Sequence, residues 1–319
     1  MVPFQLKRES TFTFPAGYQC AVLLSWDMDA ESPYLAADPR NAHHLGVLSD
    51  GVYGATQGLR HILHLLCHYH LPATFFVPGL TADRHPKVVE QILAGGHEVT
   101  HHGYSHQNVM LMTEEEEEEE EDLVKGIEAL QRLTGIMPLG WRSPSYGIRP
   151  HTLRLLAKYG FRYDSSLLDD EVPYLMRLPE RDLVQLPINP ALDDWQYFNV
   201  TMFPDIVGKV CAVEEVLNIW RAEFEAIYDV GGCFVLTMHP HLTGRPSRIK
   251  MLSRLIEHIQ SFSGVWWTTA CDMADYALNQ AQSHAVVRDP LHLAVNQNGS
   301  GSGIDQVRFS REGHGLPCP

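Results

Sequence analysis

Along the first 280 residues, apolar runs of strand length alternate with stretches of helical spacing. Cys20 to Trp26 is a continuous apolar run closed by Ser25-Trp26-Asp27-Met28-Asp29, which predicts a buried strand with acids at its C-terminal end. Leu59, Ile62, Leu66 and Tyr69 fall on one helical face between Thr56 and Tyr69. Ala73–Val77 predicts a second strand, and Pro86–Ala94 a helix that starts on proline and stops at Gly95-Gly96. His97–Thr100 predicts a strand that breaks into a glycine turn rich in histidine. Leu123, Ile127 and Leu130 then mark an amphipathic helix to about Leu133, and Thr113 with Glu116 fits a capping box at its start. The same alternation continues through a strand end at Gly140–Pro144, a helix at Pro150–Lys158, and Phe161–Tyr163 leading to Asp164. Beyond it follow a strand at Leu183–Ile188, a helix at Val213–Tyr228 and a strand at Cys233–Met238. Arg248–Gln260 predicts a helix, Gly264–Trp267 the last strand and Ala270–Leu278 the last helix. Asp38–Tyr53 reads as a polar loop. After about residue 283 the pattern fades, and Asn296–Gly303 is linker-like.

Strand after helix after strand implies a parallel sheet with crossover helices. Polar side chains recur where the strands end: Asp27 and Asp29, His102 and His106, Arg142, Asp164, His239. Chemistry spread over five strand ends favours a closed or nearly closed α/β barrel, whose site lies at that rim, over an open sheet with one crevice. The expectation is a single-domain barrel over residues 1–283 and an irregular tail over 284–319.

Composition narrows the class. The chain has 319 residues, 45% hydrophobic and 20% charged, with a net charge of −15. That balance suits a soluble protein with a large core and argues against nucleic acid or an anionic membrane surface as partner. Part of the charge is the run Glu114–Glu121 and Asp122, read as a solvated helix face. Six scattered cysteines with no Cys-x-x-Cys suit reduced thiols. No run has signal-peptide or membrane-span length, so a cytoplasmic location is expected.

His102 and His106 stand four apart, so one helical turn would bring both imidazoles to the same side. With a carboxylate they make three ligands and leave positions open for water and substrate, a catalytic arrangement. Asp27 and Asp29, two apart on an extended strand, point the same way: one can take the ion, the other can face water as general base. Arg142 can hold that base ionised, and His239 can protonate a leaving group. Together these describe hydrolysis of an amide-like carbonyl. The competing reading is of polar loop histidines. His101 and His241 read as bystanders, and His61, His64, His68 and His70 lack acidic companions. There is no Gly-x-Ser-x-Gly elbow for a serine triad and no His-Glu-x-x-His for a zincin.

These residues resemble the polysaccharide deacetylases that carry the NodB homology domain. The resemblance covers about Gln19 to Leu278, through Asp27-Met-Asp29, His102-Gly-Tyr-Ser-His106, Arg142-Ser-Pro144, the looser Asp164-Ser-Ser, and Leu236-Thr-Met-His239. Thr74-Phe-Phe-Val-Pro-Gly79, Gly96-His-Glu98, Asp193-Asp194 and Gly244-Arg-Pro246 resemble a branch of intracellular deacetylase-like proteins, allantoinases and cyclic-imide hydrolases. The resemblance implies a distorted (β/α)7 barrel and metal-dependent amide hydrolysis. It implies Asp29, His102 and His106 as ligands of zinc or a similar ion such as iron(II) or cobalt(II). It further implies Asp27 as base, Arg142 as its partner, His239 as acid and Asp164 as orienter of His239. A homo-oligomer, dimer or tetramer, is implied too. The metal-free allantoinases of the family lose members of this set, and all are present here. Tyr146, Asp193, Asp194, Trp195 and Arg245 either line the substrate pocket or brace loops. Three functions compete: a deacetylase of N-acetylated sugars, a hydrolase of small cyclic amides, and a non-catalytic carbohydrate-binding barrel. A complete acid, base and metal set disfavours the third. An open groove would suit polymers, whereas a pocket capped by the 38–53 loop or a partner subunit would suit small rings.

Overall fold

In the computed structural model, which describes residues 12–113, 116–202, 205–280 and 287–288, the first apolar run is strand β1 (Cys20–Asp27), buried at every position. Four short strands follow it: β2 (Thr74–Val77), β3 (Glu98–His101), β4 (Gly140–Trp141) and β5 (Tyr163–Asp164). Next come β6 (Tyr174–Met176), β7 (Leu183–Gln185) and a small hairpin of β8 (Val200–Thr201) and β9 (Val207–Gly208). The series ends with β10 (Cys233–Met238), β11 (Val265–Trp267) and β12 (Val287–Arg288). The main sheet runs β10-β1-β2-β3-β4-β5-β7-β6-β12. From β10 to β7 every pairing is parallel, and helices such as Leu59–Tyr69, Pro86–Ala94 and Glu116–Thr134 make the crossovers that parallel neighbours require.

One edge of β1 is shared. Cys20–Val22 pair with β11 and Ser25–Asp27 with β2. At the other end of the series, the chain beyond β7 reaches back to β10, where Asp193 bridges Thr237 in parallel. Seven strands thus curl round into a single-domain barrel joined by one bridge, the distorted (β/α)7 form expected from the sequence.

Alternation along the strands decides which side chains see the interior. Cys20, Val22, Leu24 and Trp26 face outward and pack with Leu59, Ile62, Leu66, Trp220, Phe224 and Leu255 from the helices. Ala21 and Leu23 face inward with Phe76, Tyr163, Val184 and Val235. Each Val, Leu, Ile or Phe among them stabilises the fold by about 1.5–3 kcal/mol when buried. The inward parity of β1 continues as Ser25 and Asp27, and that of β10 as Thr237 and His239. The interior is therefore apolar at the strand starts and polar at the strand ends. Helix Ala270–Gln280 closes the apolar end: Ala270 N–H donates to Thr74 Oγ1 (2.8 Å) and Cys271 N–H to Glu98 Oε2 (3.1 Å).

Some expectations change. Residues 38–53 are not a loop but a 3-10 turn, Pro39–His43, and a helix, Leu45–Tyr53, running into a π-helical turn, Gly54–Gly58. The glycines misled the reading: a Cβ on Gly51 would lie 2.5 Å from Ala30 O, and one on Gly54 2.9 Å from His241 N. They serve close packing rather than a turn. Thr113 N–H and Oγ1–H both donate to Glu118 Oε2 (2.8 and 2.6 Å), so the described acceptor lies two residues beyond the expected Glu116. Strand β6 was not foreseen, since three residues between turns carry no period. Of the tail from 284, Val287–Arg288 add to the sheet beside Leu175–Met176, and the linker-like stretch lies outside the described residues. Among the described residues no helix is long and apolar enough to cross a membrane.

Candidate active site

Where the inward parity runs off the ends of β1, β3 and β10, five side chains converge. Asp29 is fully buried. Its Oδ1 lies 3.5 Å from His102 Nε2, and its Oδ2 lies 3.4 Å from His106 Nε2 and 3.7 Å from His239 Nε2. Among the described residues neither Asp29 oxygen has a hydrogen-bond partner, a costly state for a buried carboxylate. His102 Nδ1 donates to Arg142 O at 2.7 Å, which fixes the tautomer and turns the Nε2 lone pair toward Asp29. Burial pushes the His102 pKa down, favouring the neutral imidazole a ligand must be. The donor atoms of Asp29, His102 and His106 lie within 4.8 Å of one another, and this N2O set fits a zinc-type ion. The surrounding backbone is strained: Ala30 (φ 51) and His106 (φ 60) are left-handed. Ser32 and Thr81 hydroxyls both donate to Asp29 O at 2.6 Å and hold the first of these turns.

Asp27 stands beside this triad. Arg142 Nη1 donates to its Oδ1 at 2.8 Å, while its Oδ2 lies 3.8 Å from His102 Nε2 and 4.0 Å from His239 Nε2. Arg142 is itself fully buried, with Ser25 Oγ (2.9 Å), Ser165 O (3.2 Å) and Ser165 Oγ (3.0 Å) accepting from its other directions. The ring of Phe76 lies 4.1 Å beneath it. Ser25 and Ser165 escaped the sequence reading, although the inward parity of Ser25 was available.

The partner of His239 is a correction. Its Nδ1 meets Asp194 Oδ1 at 2.7 Å, and Asp194 Oδ2 accepts from His239 N–H (3.0 Å), Thr243 N–H (3.2 Å) and the Thr243 hydroxyl. Burial would lower the His239 pKa, but the Asp194 charge and hydrogen bond outweigh it and raise it to about 10. Asp164, expected in this role, ends β5 on another side of the barrel. It accepts instead from Ser166 N–H (3.1 Å) and Oγ–H (2.6 Å) and, with the Gln185 amide turned to suit, from Gln185 Nε2 (2.6 Å). Burial pushes it up to about 7. Asp194 wins because the Asp193–Thr237 bridge seats it against β10.

Around these groups lies a cavity of about 480 Å³. Tyr146, Asp193 and Trp195 line it, as do Asn41 and Val47 from the segment expected to be a loop. Tyr146 donates its hydroxyl to Asp193 Oδ2 (2.5 Å), and burial pushes Asp193 up to about 6. The Trp195 and His239 rings lie 5.0 Å apart. Asp194 sits behind His239 rather than on the wall. Arg245 is off the site altogether: its guanidinium pairs with Asp50, lies 3.6 Å over the Tyr53 ring and donates to His241 O (3.2 Å), so it ties the Leu45–Tyr53 helix to the turn after β10.

Residues 47–163 match the polysaccharide deacetylase family model. A peptidoglycan deacetylase of Helicobacter pylori is 33% identical over 255 residues, spanning 72% of this chain and 86% of that one. A solved structure described as a polysaccharide deacetylase of Mycobacterium smegmatis superposes with a TM-score of 0.83 at 37% identity, over 90% of this chain and 99% of that one. A solved allantoinase superposes at 0.72 with 26% identity, over 86% and 94%. Barrel, site and relatives agree: this chain belongs to the polysaccharide deacetylase family and is a hydrolase of carbon–nitrogen bonds other than peptide bonds.

Proposed function

We propose that the chain removes an acyl group from the amide nitrogen of an N-acetylated sugar unit, with a divalent ion held by Asp29, His102 and His106. Asp29 carries this reading: a fully buried carboxylate with no hydrogen-bond partner among the described residues, faced by the Nε2 atoms of His102, His106 and His239, asks for a cation. Zinc suits the donor set first; iron(II) and cobalt(II) share its preferences. Such an ion would supply a Lewis acid for the carbonyl and a more acidic water. Asp27, held through Oδ1 by Arg142, keeps Oδ2 free to take a proton from the attacking water. His239, kept charged by Asp194, lies across from it and gives a proton to the leaving nitrogen. Tyr146 and Trp195 wall the cavity between them. A volume of about 480 Å³, within the ~300–1,000 Å³ of ordinary ligand pockets, suits a terminal sugar unit or short oligosaccharide.

The second reading, a small cyclic amide, has its own observation. Besides the rim residues, Asn41 and Val47 and, from elsewhere in the chain, Asn199, Thr201 and Met202 line the cavity, walls that a small ring could use. Chelator-treated and zinc-reconstituted protein assayed on N-acetylglucosamine oligomers, allantoin and succinimide separates the readings. Zinc-dependent acetate release from the oligomers is expected. Ring opening without acetate release would transfer the function to cyclic amides, and equal rates with and without ion would remove the metal.

A further inference from the structure

The acidic run read as a solvated helix face ends in a residue that turns inward. Asp122 is half-buried on the helix Glu116–Thr134. Its Oδ2 accepts from Tyr104 N–H (2.8 Å), and its Oδ1 accepts from Ser105 N–H (3.0 Å) and Ser105 Oγ–H (2.6 Å). Both residues lie between His102 and His106. The same helix grips this segment elsewhere. Leu123 O accepts from His101 Nε2 (3.0 Å), leaving His101 Nδ1 to accept from Gly103 N–H (3.0 Å). Lys125 Nζ lies 3.8 Å over the Tyr104 ring. Gly126 permits the approach, since a Cβ there would sit 2.3 Å from His101 Nε2.

The turn so gripped is not one the chain prefers. Gly103 (φ 70) and His106 (φ 60) are both left-handed, a conformation that a residue with a Cβ disfavours. Something outside the turn must hold it, and three hydrogen bonds to one carboxylate do so. We infer that Asp122 is a positioning residue for the ion: it touches no ligand atom but shapes the turn that sets His102 and His106 together against Asp29. This rests on the metal site proposed above. Outer groups of this kind typically change metal affinity about 10–100-fold.

Zinc affinity, by competition with a chelating dye, tests it on the full chain. Asp122→Ala should bind zinc about 10–100-fold more weakly, and Asp122→Asn, which keeps one acceptor oxygen, should lose less. Glu128→Ala on the exposed face should lose nothing. The visible absorption of the cobalt(II)-loaded protein should change in Asp122→Asn, reporting altered ligand geometry. In a His106→Ala background Asp122→Ala should cost less than in the parent, because the turn then has only one ligand, His102, left to set. Parent-like zinc affinity in both Asp122 variants overturns the inference, as does an equal cost in both backgrounds, which would mean general loosening. Should Asp122→Ala not fold, Asp122→Asn decides alone by the same criteria. A parent protein that takes up no zinc fails the metal reading and this inference with it; a parent that binds while the Asp122 variants bind equally sinks this inference only.

Discussion

Asp27 and Asp29 are chemically the same residue in different surroundings, and the surroundings separate their tasks. Asp27 has Arg142 on one oxygen; Asp29, among the described residues, faces imidazole nitrogens at ion-sharing distance. Asp27→Asn is therefore expected to keep its ion and lose turnover by about two or more powers of ten, the usual cost of a general base. Metal content and kcat check this, and a near-parental rate would remove Asp27 from the mechanism. Asp29→Asn is expected to lose the ion as well. For His239 the sign is set by Asp194. The raised pKa means the charged imidazole is the favoured form in the fold. The pair's contribution to stability is thus complete below about pH 6.5 and lost as pH rises through about 10. In chelator-treated protein, an NMR titration should place His239 near 10, and Asp194→Asn should bring it down toward the ordinary histidine range. An unchanged titration would show that Asp194 does not hold it. The candidate acid and ligand residues stood out at strand ends and by spacing; the partner of His239 did not, because Asp164 ends β5 and Asp194 follows a 3-10 turn, and only the barrel's closure tells these two carboxylates apart.

Elements place these residues through contacts between backbones. The π-helical turn Gly54–Gly58 packs on the turn after His239, and a Cβ on Gly58 would lie 2.3 Å from Pro240 O. Backbone cannot give way cheaply there. Gly58→Ala should cost roughly 1–3 kcal/mol of stability by overpacking, seen in urea unfolding. It should also lower kcat by displacing His239, with metal content unchanged because Asp29, His102 and His106 lie on other elements. Parental turnover in a destabilised variant would disconnect this turn from the acid. The helices around β1 were legible from their 3.6-residue period. The Leu45–Tyr53 helix was not, since Gly51 within it and Gly54 just after it answer to Ala30 and His241, neighbours no local pattern reveals.

At the scale of the molecule, one ion would tie together segments far apart in the chain. A ligand that binds only the native state stabilises it by RT ln(1 + [L]/Kd), about 4 kcal/mol at a thousandfold excess over Kd. Zinc should therefore raise the melting temperature of chelator-treated protein, and His106→Ala should lose most of that rise. Calorimetry with and without zinc checks it. Equal rises in both proteins would place the ion somewhere other than Asp29, His102 and His106.

The chain alone determined the alternation of strand and helix, the barrel class and the rim where chemistry gathers. Each follows from periods of two and 3.6 residues, which are local. Two-residue spacing also put Asp27 and Asp29 on one side, and four-residue spacing singled out His102 and His106, although the expected helical turn is in fact a turn with Gly103 and His106 left-handed. Only the tertiary structure decided that Asp194 serves His239, that Ser25 and Ser165 back Arg142, that Arg245 stands away from the cavity and that Asp122 grips the histidine turn. Those contacts join residues tens to hundreds of positions apart. They depend on the register between strands and on the Asp193–Thr237 join of the barrel, where small shifts exchange one candidate carboxylate for another and the local pattern of the chain stays the same.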